Sequence, residues 1–249
     1  MTLAAPAFAG FLYAFAGPDI VYFVISGLGF MAVVITSFLP STDAGPSRHR
    51  GPILKDIGDG LSYLKRNRLI MTLLVMGLAT SVLAMPFRML MPLFVVDIYE
   101  LGPESMGLLV AAMGGASLFG ALFVASLSDW RRGMLLLLGS FMSGIALLLL
   151  AAIPIYLAAI FFMIPLGLGD AARRTLNQSL VLERTDDEYR GRVMGIFMMN
   201  RGMMPLGVLP TALLASVLGA RFAIGLLAVL LLLFTTFILV TQKRVRELS

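Results

Sequence analysis

Three ionisable residues stand well inside long apolar runs of this 249-residue chain: Arg88, Asp170 and Arg201. A charge at a bilayer centre costs at least about 2.5–3.5 kcal/mol on insertion scales, so such residues face a partner or a water-filled cavity. Asp170 lies roughly 24 Å along its run and Arg201 roughly 13 Å along the next, at 1.5 Å per helical residue. If the two runs are antiparallel neighbours, an Asp170–Arg201 pair is within side-chain reach, with Asn200 beside it as a polar contact. A local arrangement stays open: Asp170 with Arg173 or Arg174 at i+3 or i+4, and Arg201 snorkelling to the surface. Arg88 lies between Pro86 and Pro92. Those prolines bend a helix, and broken helices at depth mark gates and binding sites. Arg88 could meet an anionic substrate, pair with Asp97, or snorkel to the outer boundary. Asp170 is the only acid well inside an apolar run, so it would be the candidate carrier if the chain moves protons.

A second concentration of charge is "SLSDWRRGM", 126–134, where Asp129, Arg131 and Arg132 fill a short gap between two apolar runs. Other chemistry is scarce. There are no cysteines, and the single histidine, His49, lies in a polar loop. The chain contains no G-x-S-x-G, no H-E-x-x-H and no G-x-x-x-x-G-K-[ST]. No metal, cofactor or nucleotide is expected, and an enzyme is not.

The elements that must carry these residues follow from composition. The chain is 59% hydrophobic and 13% charged, against about 25% charged in soluble domains. Lipid is the solvent that accommodates so much apolar surface, and about 20 apolar residues span it as a helix. Eight apolar segments are predicted, at 2–16, 20–39, 69–96, 104–128, 134–152, 155–178, 191–217 and 219–240, with Gly17-Pro18, Gly102-Pro103 and Gly133 among the breaks. The fold class is therefore an all-α polytopic helix bundle of about eight transmembrane helices. Sixteen of the nineteen Lys and Arg residues fall on one side of these segments. By the positive-inside rule both termini face the cytoplasm, in a multi-pass protein of the plasma or inner membrane. The net charge of +5 thus reflects topology and not nucleic-acid binding. The first segment has small residues in A-x-A spacing, but no basic stretch precedes it as a signal peptide requires. In the 40–68 loop, Ile53, Ile57, Leu61 and Leu64 recur at helical spacing among Lys and Arg. They predict an amphipathic helix on the inner membrane surface; a solvated charged linker is the plainer reading. Four parts result: 1–39, 40–68, 69–242 and a 243–249 tail. Gly107, Gly114, Gly115 and Gly120 on one helix, and Pro205, Gly207 and Pro210 on another, suit close packing or a hinge. Seventeen methionines suit either a pliable cavity or lipid-facing filler.

Two helices, a basic loop with a surface helix, then six helices: this order resembles the back two thirds of a major facilitator superfamily transporter. The likeness rests on 92–134, "PLFVVDIYELGPESMGLLVAAMGGASLFGALFVASLSDWRRGM", which resembles the family's seventh and eighth helices with the following loop. It rests also on 176–196, "LNQSLVLERTDDEYRGRVMGI", which resembles the tenth-to-eleventh connection and contains Arg190, Gly191 and Arg192. "APAFAG", 5–10, is similar to a degenerate fifth-helix antiporter motif that keeps Pro6 and Gly10, with Ala5 and Ala9 in place of two glycines. The pattern is most similar to the exporter branch that includes siderophore and macrolide efflux proteins. The resemblance implies alternating access, with a small amphiphilic substrate, and protons, as partners beside the lipid bilayer. It implies that Asp129, Arg131, Arg132 and the preceding Gly120 form a conformational latch. Asp129 would face the positive N-terminus of another helix, a contact worth about 0.3–2 kcal/mol, and the arginines would hold it or bond lipid phosphates. The shorter loop departs from the family pattern beyond Asp129. On the plainer reading the arginines set topology and Asp129 is a turn residue. The chain corresponds to helices five to twelve only. A fragment, a product that no longer transports, or a half that pairs with an N-terminal helical half are the alternatives.

Overall fold

The computed structural model describes residues 4–38, 53–102, 104–127 and 131–248, with side chains throughout except at 4–18, 21, 53–57 and 201. Asp129 and the 40–52 stretch of the basic loop lie outside the described residues. All elements among the described residues are helical.

The chain divides into two units, Met1–Ile53 and Leu54–Ser249. The first consists of one helix, α1 (Ala4–Ser37). Sequence predicts a break at Gly17-Pro18, yet the helix runs through it. A proline removes a single i→i−4 bond, and helices in an apolar setting tolerate that loss. Within it, Tyr22–Ser37 is apolar but shorter than a full span.

The second unit opens with α2 (Ile53–Arg66), followed by α3 (Arg68–Leu83), α4 (Pro86–Leu93), α5 (Glu104–Ser126), α6 (Arg132–Ala152) and α7 (Tyr156–Arg184). It ends with α8 (Arg190–Gly202), α9 (Pro205–Leu218), α10 (Ala220–Thr241) and the short α11 (Lys243–Arg246). Six stretches among the described residues are long and apolar enough to cross a bilayer: Arg68–Ile98, Glu104–Ser126, Arg132–Ala152, Tyr156–Arg184, Arg190–Leu218 and Ala220–Thr241. These are the six spans expected between 69 and 240.

Two of the six are interrupted, and proline explains both. Pro86 has no N–H to continue the ladder, so α3 stops at Leu83 and α4 restarts one step on. Past Pro92 the chain loosens into a π turn, Phe94–Ile98, closed by the Tyr99 N–H donating to the Phe94 carbonyl at 3.0 Å. Pro205 likewise separates α8 from α9. The broken spans touch: a Cβ on Gly207 would overlap the Val82 carbonyl oxygen.

α7 is the central helix, held between α5 and α6 by glycine. A Cβ on Gly167 would strike the Met113 carbonyl, and one on Gly169 the Gly139 carbonyl and the Ser143 hydroxyl. Gly120 packs against the Leu168 backbone, with 3.1 Å from its would-be Cβ to the Leu168 Cα. Gly107 and Gly115 face open space. The Ser117 hydroxyl donates across to the Gly167 carbonyl at 3.0 Å.

Two apolar clusters divide the interior. One holds Phe87, Phe94, Leu147, Met163 and Ile224; the other, at the end of the bundle where the basic residues gather, holds Leu64, Leu73, Leu136, Leu180 and Val193. Each spanning helix changes from one cluster to the other through small or polar residues. On α3 these are Gly77 and Thr80, on α6 Gly139, Ser140 and Ser143, and on α7 Gly167, Gly169 and Asp170.

Both ends are closed by specific contacts. At the end away from the basic residues, Arg221 donates to the last α6 carbonyls, Ala151 and Ala152, each at 2.9 Å, where a cation suits the negative helix terminus. Tyr156 donates to the Ser105 carbonyl at 2.9 Å and meets Tyr99 edge to face. Burial pushes the Tyr99 hydroxyl up to about 12, with Arg221 pulling the other way. At the basic end, the expected 243–249 tail is a docked element. Val245 and Leu248 are buried, and the Gly133 N–H donates to the Leu248 carbonyl at 3.2 Å. Glycine is required there because any Cβ at 133 would overlap the Val245 carbonyl.

Glycine at 169 is predicted to be a packing requirement and glycine at 115 not. Gly169→Leu should cost about 1–3 kcal/mol or more through overpacking and lower the thermal midpoint in detergent, whereas Gly115→Leu should leave it within experimental scatter. Equal midpoints for the two variants would contradict the α6–α7 contact.

Candidate functional site

Asp170 is the middle residue of α7. Sequence counting places it in the inner third of its run; the helix continues past the expected end at 178 to Arg184, which centres it. Helical spacing puts Asp170, Arg173, Arg174, Asn177 and Gln178 on one stripe. The stripe lies where the two apolar clusters meet.

Three guanidinium groups converge on the one carboxylate. Arg173 donates to Asp170 Oδ1 at 3.0 Å, and Arg174 Nε stands 2.9 Å from Oδ2. Arg88, on α4 just past the Pro86 break, stands 4.0 Å from the same oxygen. Asp170 and Arg173 are buried, at 7% and 6% exposure, whereas Arg174 and Arg88 reach outward with about half of their side-chain surface open (46% and 44%). The local arrangement at i+3 and i+4 is thus present. The Arg201 side chain lies outside the described residues. Asn200, next to it, donates to the Leu74 carbonyl at 3.1 Å, and Arg88 faces Asp170 while Asp97 sits exposed in the π turn.

Asp170, Arg173, Arg174, Asn177 and Asn200 line a cavity of about 90 Å3 together with Gly77, Thr80, Met85 and Phe197. Two buried polar atoms at its edge have no hydrogen-bond partner among the described residues: Arg173 Nε and Asn177 Oδ1. An unpaired buried donor and acceptor carry a free-energy cost that a bound molecule or water relieves. The wall therefore offers one donor, one acceptor, excess positive charge and an apolar flank. Asn177 and Arg173 were not singled out from sequence as binding groups, although their spacing from Asp170 was a readable signal.

At the basic end a second set of charges closes the bundle. Arg132, at the start of α6, holds both carboxylate oxygens of Glu183, at the end of α7, at 2.7 and 2.9 Å. The Ser179 hydroxyl supports Glu183 Oε1 at 2.8 Å. Arg131 stands at the helix N-cap without a side-chain capping bond. Of the expected latch residues, then, Arg132 binds Glu183 and Gly120 packs on α7, while Asp129 lies outside the described residues. Pro6 and Gly10 fall on α1, where side chains are outside the description. Glu183 was missed because only antiparallel pairing of α6 and α7 brings it to Arg132.

The amphipathic helix α2 docks on the loop before α8. Tyr63 stacks on Tyr189 at 4.4 Å between ring centroids and donates to Asp186 Oδ2 at 3.1 Å. The Asp186 N–H returns a bond to the Tyr63 hydroxyl at 3.2 Å. Arg192 lies over the Tyr189 ring, 5.6 Å from its centroid, and 3.8 Å from Asp59. Arg190 pairs with Asp187 at 2.6 Å, and Gly191 faces open space. A stacked aromatic pair contributes about 0.5–1.5 kcal/mol beyond its buried area. Tyr63→Ala should therefore speed amide hydrogen exchange selectively in α2 and in 186–192; unchanged exchange there would contradict the docking.

Comparison with known proteins is consistent with this architecture. The sequence profile of the Major Facilitator Superfamily matches residues 1–207. Macrolide efflux protein A of Streptococcus pyogenes is 25% identical over 175 residues, which cover 68% of this chain and 42% of the relative. Macrolide efflux protein A of Enterococcus faecalis is 25% identical over 146 residues, covering 57% of this chain and 45% of the relative. The chain spans less than half the length of these curated relatives.

Proposed function

Since this chain belongs to the major facilitator superfamily, we propose that it serves in secondary active export of an amphiphilic small molecule by alternating access, coupled to protons. The observation that carries the reading is the buried Asp170 cluster, at the midpoint of a spanning helix and beside a cavity with an unpaired donor and acceptor. A structural ion pair alone needs no adjoining cavity and no surplus of two cations.

Asp170 Oδ2 is the proton-binding atom in this scheme. A proton there cancels the attraction that holds Arg174 and, more weakly, Arg88, the two cations that already reach outward. Released, they turn to the substrate; on deprotonation they return. Met85 and Phe197 on the cavity wall supply apolar contact for the greasy part of the substrate. The prolines at 86 and 205 place flexible joints in the two broken spans, where rocking motions are absorbed. With the basic end cytoplasmic by the positive-inside rule, Arg132–Glu183 closes that end. An exposed pair of this kind is worth about 0.2–1 kcal/mol, enough to bias two conformations without locking them. The latch would also include Asp129. The similarity to macrolide efflux proteins and the degenerate Pro6/Gly10 motif favour export over import.

A second reading has its own support. Because the chain spans 42% and 45% of the two relatives, it supplies part of a cavity wall, and transport requires an N-terminal helical half as partner. On that reading the 249-residue chain alone, in proteoliposomes with an imposed pH gradient, moves no amphiphilic dye beyond protein-free controls.

The test is efflux of a macrolide and of an amphiphilic dye from cells expressing the gene, against cells that lack it. Wild type should lower intracellular accumulation. Asp170→Asn should abolish proton-driven efflux while leaving substrate-stimulated thermal stabilisation in place. Efflux by Asp170→Asn at the wild-type rate would remove Asp170 from coupling, and equal accumulation with and without the gene would contradict export.

A further inference from the structure

The largest cavity among those described lies away from Asp170. It measures about 690 Å3 and is built where the first and last spans of the second unit meet the basic end. Four cations line it, Lys65 and Arg68 from the α2–α3 corner and Lys243 and Arg244 from the α10–α11 corner, and no carboxylate does. Lys243 alone of the four has an ion pair, with Glu247 at 3.7 Å; Lys65, Arg68 and Arg244 have none among the described residues. Docking of α11 on Gly133 fixes the second pair of cations opposite the first. Bringing like charges together is unfavourable unless an anion joins them.

Position identifies the kind of anion. Arg68 begins one spanning stretch and Thr241 ends another, so the cavity opens at the edge of the hydrocarbon layer. Leu69 and Met71 form its apolar wall, and Thr72, Thr241 and Gln242 border it. Just inside that edge on α10, Phe237 and Val240 are 60% and 70% exposed. A ligand here has its charged end among guanidinium and ammonium groups and its apolar part along α10. We propose that this cavity is a binding site for the phosphate headgroup of an anionic phospholipid, one that ties the surface-helix corner to the C-terminal helix. Guanidinium groups pair with phosphate through parallel hydrogen bonds, and basic pockets at membrane-facing helix ends select anionic headgroups.

The test uses the purified 249-residue chain in detergent, with retained lipid counted by native mass spectrometry. Phosphatidylglycerol, phosphatidylcholine and inorganic phosphate are titrated separately. Phosphatidylglycerol should be retained in preference to phosphatidylcholine. Arg68→Gln/Arg244→Gln should weaken it roughly thirtyfold, from about one factor of five for each basic residue. Arg66→Gln/Arg246→Gln, with the same loss of net charge outside the cavity lining, should change it less than about twofold. Arg68→Lys/Arg244→Lys keeps the charge and should retain most of the affinity, which guards against a folding defect in the glutamine pair. Equal retention of the two lipids, or equal weakening by both glutamine pairs, overturns the site. One-for-one replacement of phosphatidylglycerol by millimolar inorganic phosphate would make the ligand a soluble anion and overturn the lipid assignment; failure to displace it supports the lipid.

Discussion

A carboxylate and a guanidinium taken out of water together must satisfy one another, because either one left alone costs several kcal/mol. Asp170 and Arg173 impose that requirement at the centre of α7, where both are buried. The helices around them are arranged accordingly. Apolar residues retreat into two clusters on either side of the pair, and the layer between them is made of glycine, serine and threonine. Gly167 and Gly169, just before the pair on α7, let α5 and α6 approach its backbone. Outer cations then add a surplus of positive charge: Arg174 and Arg88 face the same carboxylate from positions where their far ends remain open.

That layering separates a packed apolar shell from a charged centre. The clusters and the end contacts, Arg221 on the α6 terminus and Val245–Leu248 under Gly133, hold the helices by packing and fixed backbone bonds. The middle is held by charges. The two spans broken by Pro86 and Pro205 touch near the breaks, at Val82 and Gly207, so the joints sit close together. Arg88, which faces Asp170 of α7, lies two residues beyond Pro86.

Much of this was legible in the sequence, for identifiable reasons. The six spans between 69 and 240 follow from hydropathy because lipid imposes helix on any long apolar run. The contacts of Asp170 with Arg173 and Arg174 follow from helical spacing alone. Arg132–Glu183 could not be read that way, since fifty residues separate the partners and only the α6–α7 pairing joins them. Asn177 was overlooked because an amide carries no charge to mark it inside an apolar run; its place, with Nδ2 against Gly77 and Oδ1 unpaired, depends on how α3 and α7 pack. The docked C-terminal helix was hidden for another reason: Val245 and Leu248 are too few to form a pattern, and their burial depends on the bare backbone of Gly133. Gly17-Pro18 misled in the opposite direction, since a single lost backbone bond does not end α1.

The most direct test of the charge-centred account is a double-mutant cycle at Asp170 and Arg173, read as thermal stability of the purified chain. Asp170→Asn leaves the buried Arg173 charge without its carboxylate and should cost about 3–5 kcal/mol; Arg173→Gln should cost less, because Arg174 still holds the carboxylate at 2.9 Å. The double variant removes both charges and should be considerably more stable than the sum of the two losses. Additivity within about 0.3–0.5 kcal/mol, the behaviour of independent sites, would show that the two residues do not hold one another and would contradict the account.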